Sequence, residues 1–137
     1  MFIGCKIALL CEGTIAVLLR DDAPGLRYAN MWDLPGGGRE PGEAPEQTLR
    51  REVAEEIGIA GFGISSVFEK ASDLDPMQSS WFFVSHIAPD LVAQMRLGDE
   101  GQAFQMMPLT RYLADPQVIG FQKQWVADYL AGIGRQS

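Results

Sequence analysis

Cysteine, histidine and long apolar runs are what this sequence has least of. Its 137 residues include two cysteines and one histidine. Cys5 and Cys11 are six apart, so on one extended strand they would face the same side yet stand too far apart for a disulfide. No matching Cys or His ligand set lies nearby, and both read as structural thiols, which behave as small buried hydrophobes. His86 reads as a strand residue. No apolar run approaches the ~20 residues that span a bilayer, so no membrane helix is expected. Met1-Phe2-Ile3-Gly4-Cys5-Lys6 lacks a basic region leading into an apolar stretch and a cleavage site. No signal peptide is expected from that, and a cytoplasmic location follows by default. Positive charge is also scarce. Eleven Lys and Arg against 18 Asp and Glu leave a net charge of −7, which excludes a nucleic-acid binder working through a broad basic surface.

What is present is an ordinary globular composition, 47% hydrophobic and 21% charged, with no repeat, low-complexity tract or linker. One mixed α/β domain over residues 1–137 is the expectation. Lys6–Cys11 and Thr14–Arg20 read as a hairpin turning at Glu12-Gly13. Asp21–Met31 is a polar loop, Asp33-Leu34-Pro35 a short extended piece, and Gly36-Gly37-Gly38 a sharp turn. Ala44–Ile57 reads as a helix: Pro45 suits its first position, Glu46 its first turn and Gly58 its stop. Leu49, Val53 and Ile57 give it a buried stripe. Ile64–Ala71 and Ser80–Ile87 follow as strands, Pro89–Leu97 as a short helix and Gln102–Pro108 as a strand. Pro116–Ile133 contains a last amphipathic helix around Phe121, Trp125, Tyr129 and Leu130.

On the first helix Glu52, Glu55 and Glu56 stand at i, i+3 and i+4, so their carboxylates share a face about a quarter turn from the apolar stripe. Like charges at that spacing repel and raise one another's pKa values unless a cation joins them. On spacing alone, a solvated acidic face is the plainer reading. The glycines Gly36, Gly37 and Gly38 just upstream favour a loop wrapped beside a metal–phosphate site, and Glu43 adds an acid at the mouth of the helix.

Gly37, five residues, Glu43, seven residues, then Arg51-Glu52-Val53-Ala54-Glu55-Glu56-Ile57-Gly58-Ile59 resembles a complete Nudix box. Every fixed position of that signature is filled, including the apolar slots at Val53 and Ile59. The resemblance implies the α+β Nudix fold, a mixed β-sheet between helices with the box as loop–helix–loop. It implies metal-dependent hydrolysis, with Mg²⁺ or Mn²⁺, of a nucleoside diphosphate linked to another moiety. Glu52, Glu55 and Glu56 would be metal ligands, one of them serving also as base. Glu43 would be an outer ligand or the partner of Arg51, and a carbonyl at Gly36 or Gly37 would complete a metal shell. Arg51 would orient the acids as an ion-pair partner.

Trp32-Asp33-Leu34-Pro35-Gly36-Gly37, the aromatic strand Trp81–Val84 and Glu100-Gly101-Gln102 extend the similarity to MutT-like members. There Glu100 would reach the metal site, as ligand or base. Met106 departs from the tryptophan often found in such sequences, and the asparagine that reads a purine has no clear place around Asp115-Pro116-Gln117. Both departures weaken an assignment to oxidised guanine nucleotides. Arg20 and Arg27 are candidates for phosphate, and Trp32 and Trp81 for the base, with core packing the plainer reading of the strand aromatics. The leading expectation is a nucleoside triphosphate cleaved to monophosphate and pyrophosphate. Nucleotide-sugar or dinucleotide hydrolysis, and a non-catalytic nucleotide sensor, are the alternatives. Substrate choice would lie in loops such as Asp21–Met31 and Asp73–Ser79. Neither monomer nor homodimer is specified.

Overall fold

The computed structural model describes residues 2–72, 74–75 and 77–133. Asp73 and Pro76, in the Asp73–Ser79 loop, lie outside the described residues. Strand β1 (Phe2–Cys11) is the spine of a mixed sheet. It pairs in parallel with β6 (Ser79–His86), bringing Ile7 beside Phe83 and Ala8 beside Val84. Its other edge is shared between β2 (Thr14–Leu19), from Leu10 and Cys11, and β4 (Gly36–Gly38), from Gly4 to Lys6. Strand β7 (Ala103–Pro108) runs antiparallel along all of β2, β3 (Trp32–Asp33) pairs with its end, and β5 (Ser66–Ala71) closes the sheet beyond β6.

Alternation along β1 builds two cores. Cys5, Ile7, Leu9 and Cys11 point to one face and pack with Leu49, Val53 and Ile57 of helix α1 (Pro45–Ile57). Ala8 and Leu10 point to the other, beneath helices α3 (Leu109–Ala114) and α4 (Gly120–Leu130), which supply Tyr112, Val126 and Tyr129. The sheet therefore lies between helices. Each aliphatic side chain of the α1 stripe contributes about 1.5–3 kcal/mol by leaving water. Both thiols are buried and free, and burial pushes Cys5 up to about 12, which makes it inert.

Three expectations are corrected. Gly36–Gly38 is a strand rather than a sharp turn, because β1 extends back to Phe2 and offers it an edge. The helix expected over Pro89–Leu97 is only α2 (Pro89–Val92). The chain then turns to supply donors to the end of α1: the Arg96 and Gly98 N–H groups bond the Ile57 and Glu56 carbonyls at 3.0 and 2.8 Å. Those last-turn carbonyls have no partner within their own helix. Leu130, expected on the apolar stripe of the last helix, is exposed. Among the described residues no helix is long and apolar enough to cross a membrane.

Candidate active site

Helix α1 carries the acids, and its ends are fixed. Pro45 opens it, the Gln47 side chain accepts the Ala44 N–H at 2.7 Å, and Gly58 closes it in the left-handed conformation with its N–H on the Ala54 carbonyl. With Leu49, Val53 and Ile57 buried, Glu52, Glu55 and Glu56 fall on the edge of the helix. They line a cavity of about 260 Å³ whose opposite wall is Asp99 and Glu100. The Glu100 loop is tied down on its far side, where the Gln102 N–H bonds the Leu19 carbonyl and its amide bonds the Arg20 carbonyl and Asn30 Oδ1.

Each acid meets a different environment. Glu56 Oε1 accepts the Gly36 N–H at 2.7 Å. Burial pushes this carboxyl up to about 7, although the nearby Lys6 charge and the Gly36 N–H oppose the shift. The Glu52 carboxylate lies over Gly37, where an added Cβ would come within 2.5 Å of its Cδ. Glu55 is exposed, its side chain 60% accessible.

Arg51 spends its guanidinium on the protein. It forms a two-pronged pair with Glu43 at 2.8 and 3.0 Å, and also donates to Glu52, to Glu55 and to the Gly38 carbonyl. This geometry suits an orienting role and leaves little for a substrate. Glu43 is held in turn by Arg51, the Glu40 N–H and the Thr48 hydroxyl. The Arg51 hydrogen bond leads in drawing it down to about 2. Glu43 does not line the acidic cavity and takes the second of its two expected places, as the partner of Arg51. Gly37 borders a different, apolar cavity, and the Gly36 carbonyl is taken by Lys6.

The acidic cavity continues into a groove. Glu56 and Glu100 also border a pocket with Arg20 and Asp33. Arg20 and Asp33 in turn border a cavity of about 200 Å³ with Lys6, Arg27, Tyr28, Phe121 and Gln122. Asp33 is the hub. Lys6 meets it at 3.0 Å, Arg20 at 3.1 Å and the buried Gln122 amide at 2.7 Å. Burial alone would lower the Lys6 pKa, but the Asp33 and Glu56 charges and the Asp33 hydrogen bond outweigh it and hold the ammonium above its ordinary value.

Arg20 and Arg27 stand in the groove. Trp32 and Trp81 do not. Trp32 is buried in the core under α3 and α4, its Nε1 without a partner, and Trp81 packs against the α1-side core. The aromatic wall is supplied by Tyr28, Phe121 and, in the adjoining apolar cavity, Trp125. Sequence reasoning missed Lys6, Asp33 and Gln122. Lys6 and Asp33 each stood as a charged residue in an otherwise apolar, extended segment, whereas Gln122 gave no local signal.

The donor set suits a hard cation. Mg²⁺ prefers oxygen ligands, keeps several waters and takes part of its shell from substrate phosphates. Among the described residues no group of three acids is gathered closely enough to form a ready-made cage.

Comparison with known proteins agrees with this geometry. The family model described as NUDIX domain matches residues 7–129. Nucleoside triphosphatase NudI of Enterobacter sp. (strain 638) is 55% identical over 31 residues, 23% of this chain and 22% of that protein. Diphosphoinositol polyphosphate phosphohydrolase 3-alpha of Mus musculus is 47% identical over 49 residues, 34% of this chain and 30% of that one. The matches therefore span less than a third of either relative. Among solved structures, the MutT protein from Methanosarcina mazei Go1 superposes with a TM-score of 0.75 at 20% identity, covering 98% of this chain and 96% of that one. The fold is shared over most of the described residues, the family model spans most of the sequence, and the chain belongs to the NUDIX domain family.

Proposed function

We propose that this protein is a pyrophosphohydrolase that cleaves a phosphoric anhydride bond of a nucleoside diphosphate linked to another moiety, using Mg²⁺ or Mn²⁺. Its substrate on this reading is a nucleoside triphosphate, released as monophosphate and pyrophosphate. One observation carries the proposal: the acidic cavity of Glu52, Glu55, Glu56 and Glu100 is continuous with a groove of cationic and aromatic side chains. A diphosphate held over the acids would place its nucleoside against Tyr28 and Phe121.

Glu52, Glu55 and Glu56 would hold the cation, with Glu100 facing them across the cavity. When bound, the cation neutralises diphosphate charge and lowers the pKa of a water that attacks phosphorus. Exposed Glu55 or Glu100 would take the proton of the attacking water. Arg51 keeps Glu52 and Glu55 aligned. Arg20 and Arg27 offset the charge of the phosphates, which a protein of net charge −7 would otherwise repel.

The test is a panel of nucleoside triphosphates, nucleotide sugars, dinucleoside polyphosphates and diphosphoinositol polyphosphates, assayed with Mg²⁺ for wild type and Glu55→Gln. The expected result is metal-dependent cleavage of the triphosphates, reduced about 10²-fold or more in the variant, as when a positioned base is removed. No cleavage of any member would favour a nucleotide sensor. Unchanged activity in Glu55→Gln would remove that residue from the mechanism.

A further inference from the structure

The corner between β3 and β4 ends on a glycine held where no other residue fits. Gly36 has φ +133°, and a Cβ there would lie 2.1 Å from the Cys5 carbonyl oxygen. Glycine adopts this region freely, whereas any residue with a Cβ would be strained there. One restraint on this corner is a single ammonium. Lys6 Nζ donates to the Asp33 carboxylate at 3.1 Å, to the Leu34 carbonyl at 3.2 Å and to the Gly36 carbonyl at 3.2 Å. An ammonium carries three protons. All of them go to one short corner, and none is left for a substrate phosphate.

The same corner is clamped from the opposite side. Gln122 of α4, 1% exposed, donates to Asp33 and accepts the Leu34 N–H at 2.9 Å. Pro35 accepts the Ile7 N–H at 2.9 Å. The free end of this fixed corner is the Gly36 N–H, and it donates to Glu56 Oε1 at 2.7 Å.

We infer that Lys6 is a positioning residue for Glu56. By gathering the oxygens of the β3–β4 corner it aims the Gly36 N–H at the Glu56 carboxylate, and so fixes the direction that carboxylate presents to a divalent cation. The inference rests on the metal-dependent reading above. Lys6 acts through the corner, beside the direct effect of its charge on Glu56, and does not touch the reacting atoms. A helix residue such as Glu56 could not take its direction from α1 alone, since its long side chain retains several rotamers until a partner selects one.

Two measurements on the full chain separate this from general loosening. In the metal-free wild type the Gly36 amide proton is expected to resonate downfield, as a short N–H to a carboxylate does, and Lys6→Met is expected to move it upfield. Mn²⁺ binding, followed by electron paramagnetic resonance, is expected to weaken about 10- to 100-fold, the usual effect of losing a partner behind a metal ligand. The nucleotide KM at saturating Mg²⁺ is expected to stay within about threefold, because no phosphate contact is removed. Where Lys6→Met does not fold, Lys6→Gln, neutral and too short to reach all three oxygens, carries the same comparison. An unshifted Gly36 amide with Mn²⁺ affinity within about twofold of wild type overturns the inference. So does a nucleotide KM that rises in step with the metal constant. Absence of Mn²⁺ binding in the wild type would instead remove the functional reading, and the Gly36 amide alone would then decide for or against Lys6.

Discussion

Replacing Glu56 by glutamine is expected to stabilise the metal-free protein at neutral and alkaline pH while weakening its hold on metal. Burial raises the Glu56 pKa from 4.5 to about 7. Between those values the folded chain keeps a proton that the unfolded chain has lost. Stability therefore falls as pH rises through this window, by about 1.4 kcal/mol for each pH unit crossed. The whole window amounts to about 3 kcal/mol, fully present below the unfolded pKa and lost above the folded one. Glutamine keeps an oxygen for the Gly36 N–H and carries no charge, so its variant escapes this loss. The assay is urea unfolding in the presence of a chelator, from about pH 5 to about pH 8. The variant should gain up to about 3 kcal/mol on the wild type across the range, and added Mg²⁺ should restore stability mainly to the wild type. Parallel pH profiles for the two proteins would refute the reasoning.

Neighbouring glycines should respond differently. Gly36→Ala sets a Cβ against backbone at positive φ, and loss of about 3 kcal/mol or more is expected in thermal or urea unfolding. Gly37→Ala meets only the movable Glu52 carboxylate. It should fold with less than about 1 kcal/mol lost, yet bind Mn²⁺ more weakly by calorimetry. Asp33→Ala leaves Lys6 and Arg20 without their shared partner, and a cost of about 3–5 kcal/mol is expected, as for any broken buried pair. An Asp33→Ala protein as stable as wild type would mean that water had replaced the carboxylate.

The parts legible in the sequence were those set by neighbours a few residues apart. The Glu12-Gly13 hairpin, the α1 stripe of Leu49, Val53 and Ile57, and the shared face of Glu52, Glu55 and Glu56 all follow from a period and a cap. The parts that were not legible depend on distant partners. Gly36–Gly38 looks like a turn until Gly4–Lys6 is placed beside it. Asp33 looks like any loop acid until Lys6, 27 residues earlier, and Gln122, 89 residues later, converge on it. Trp32 and Trp81 suggested a base pocket because aromatic rings suit one, but alternation in the strands turned both into the cores. Phe121 and Tyr28 form the wall instead, and only the packing of α4 brings them within 5.9 Å of each other.

The most direct test of the account is the hydrolysis of a nucleoside triphosphate in ¹⁸O-labelled water, followed by ³¹P spectroscopy with Mg²⁺ and then with chelator. The expected outcome is monophosphate and pyrophosphate, with one labelled oxygen between them, formed only while metal is present. Products without label, cleavage that continues unchanged in chelator, or no cleavage at all would contradict it.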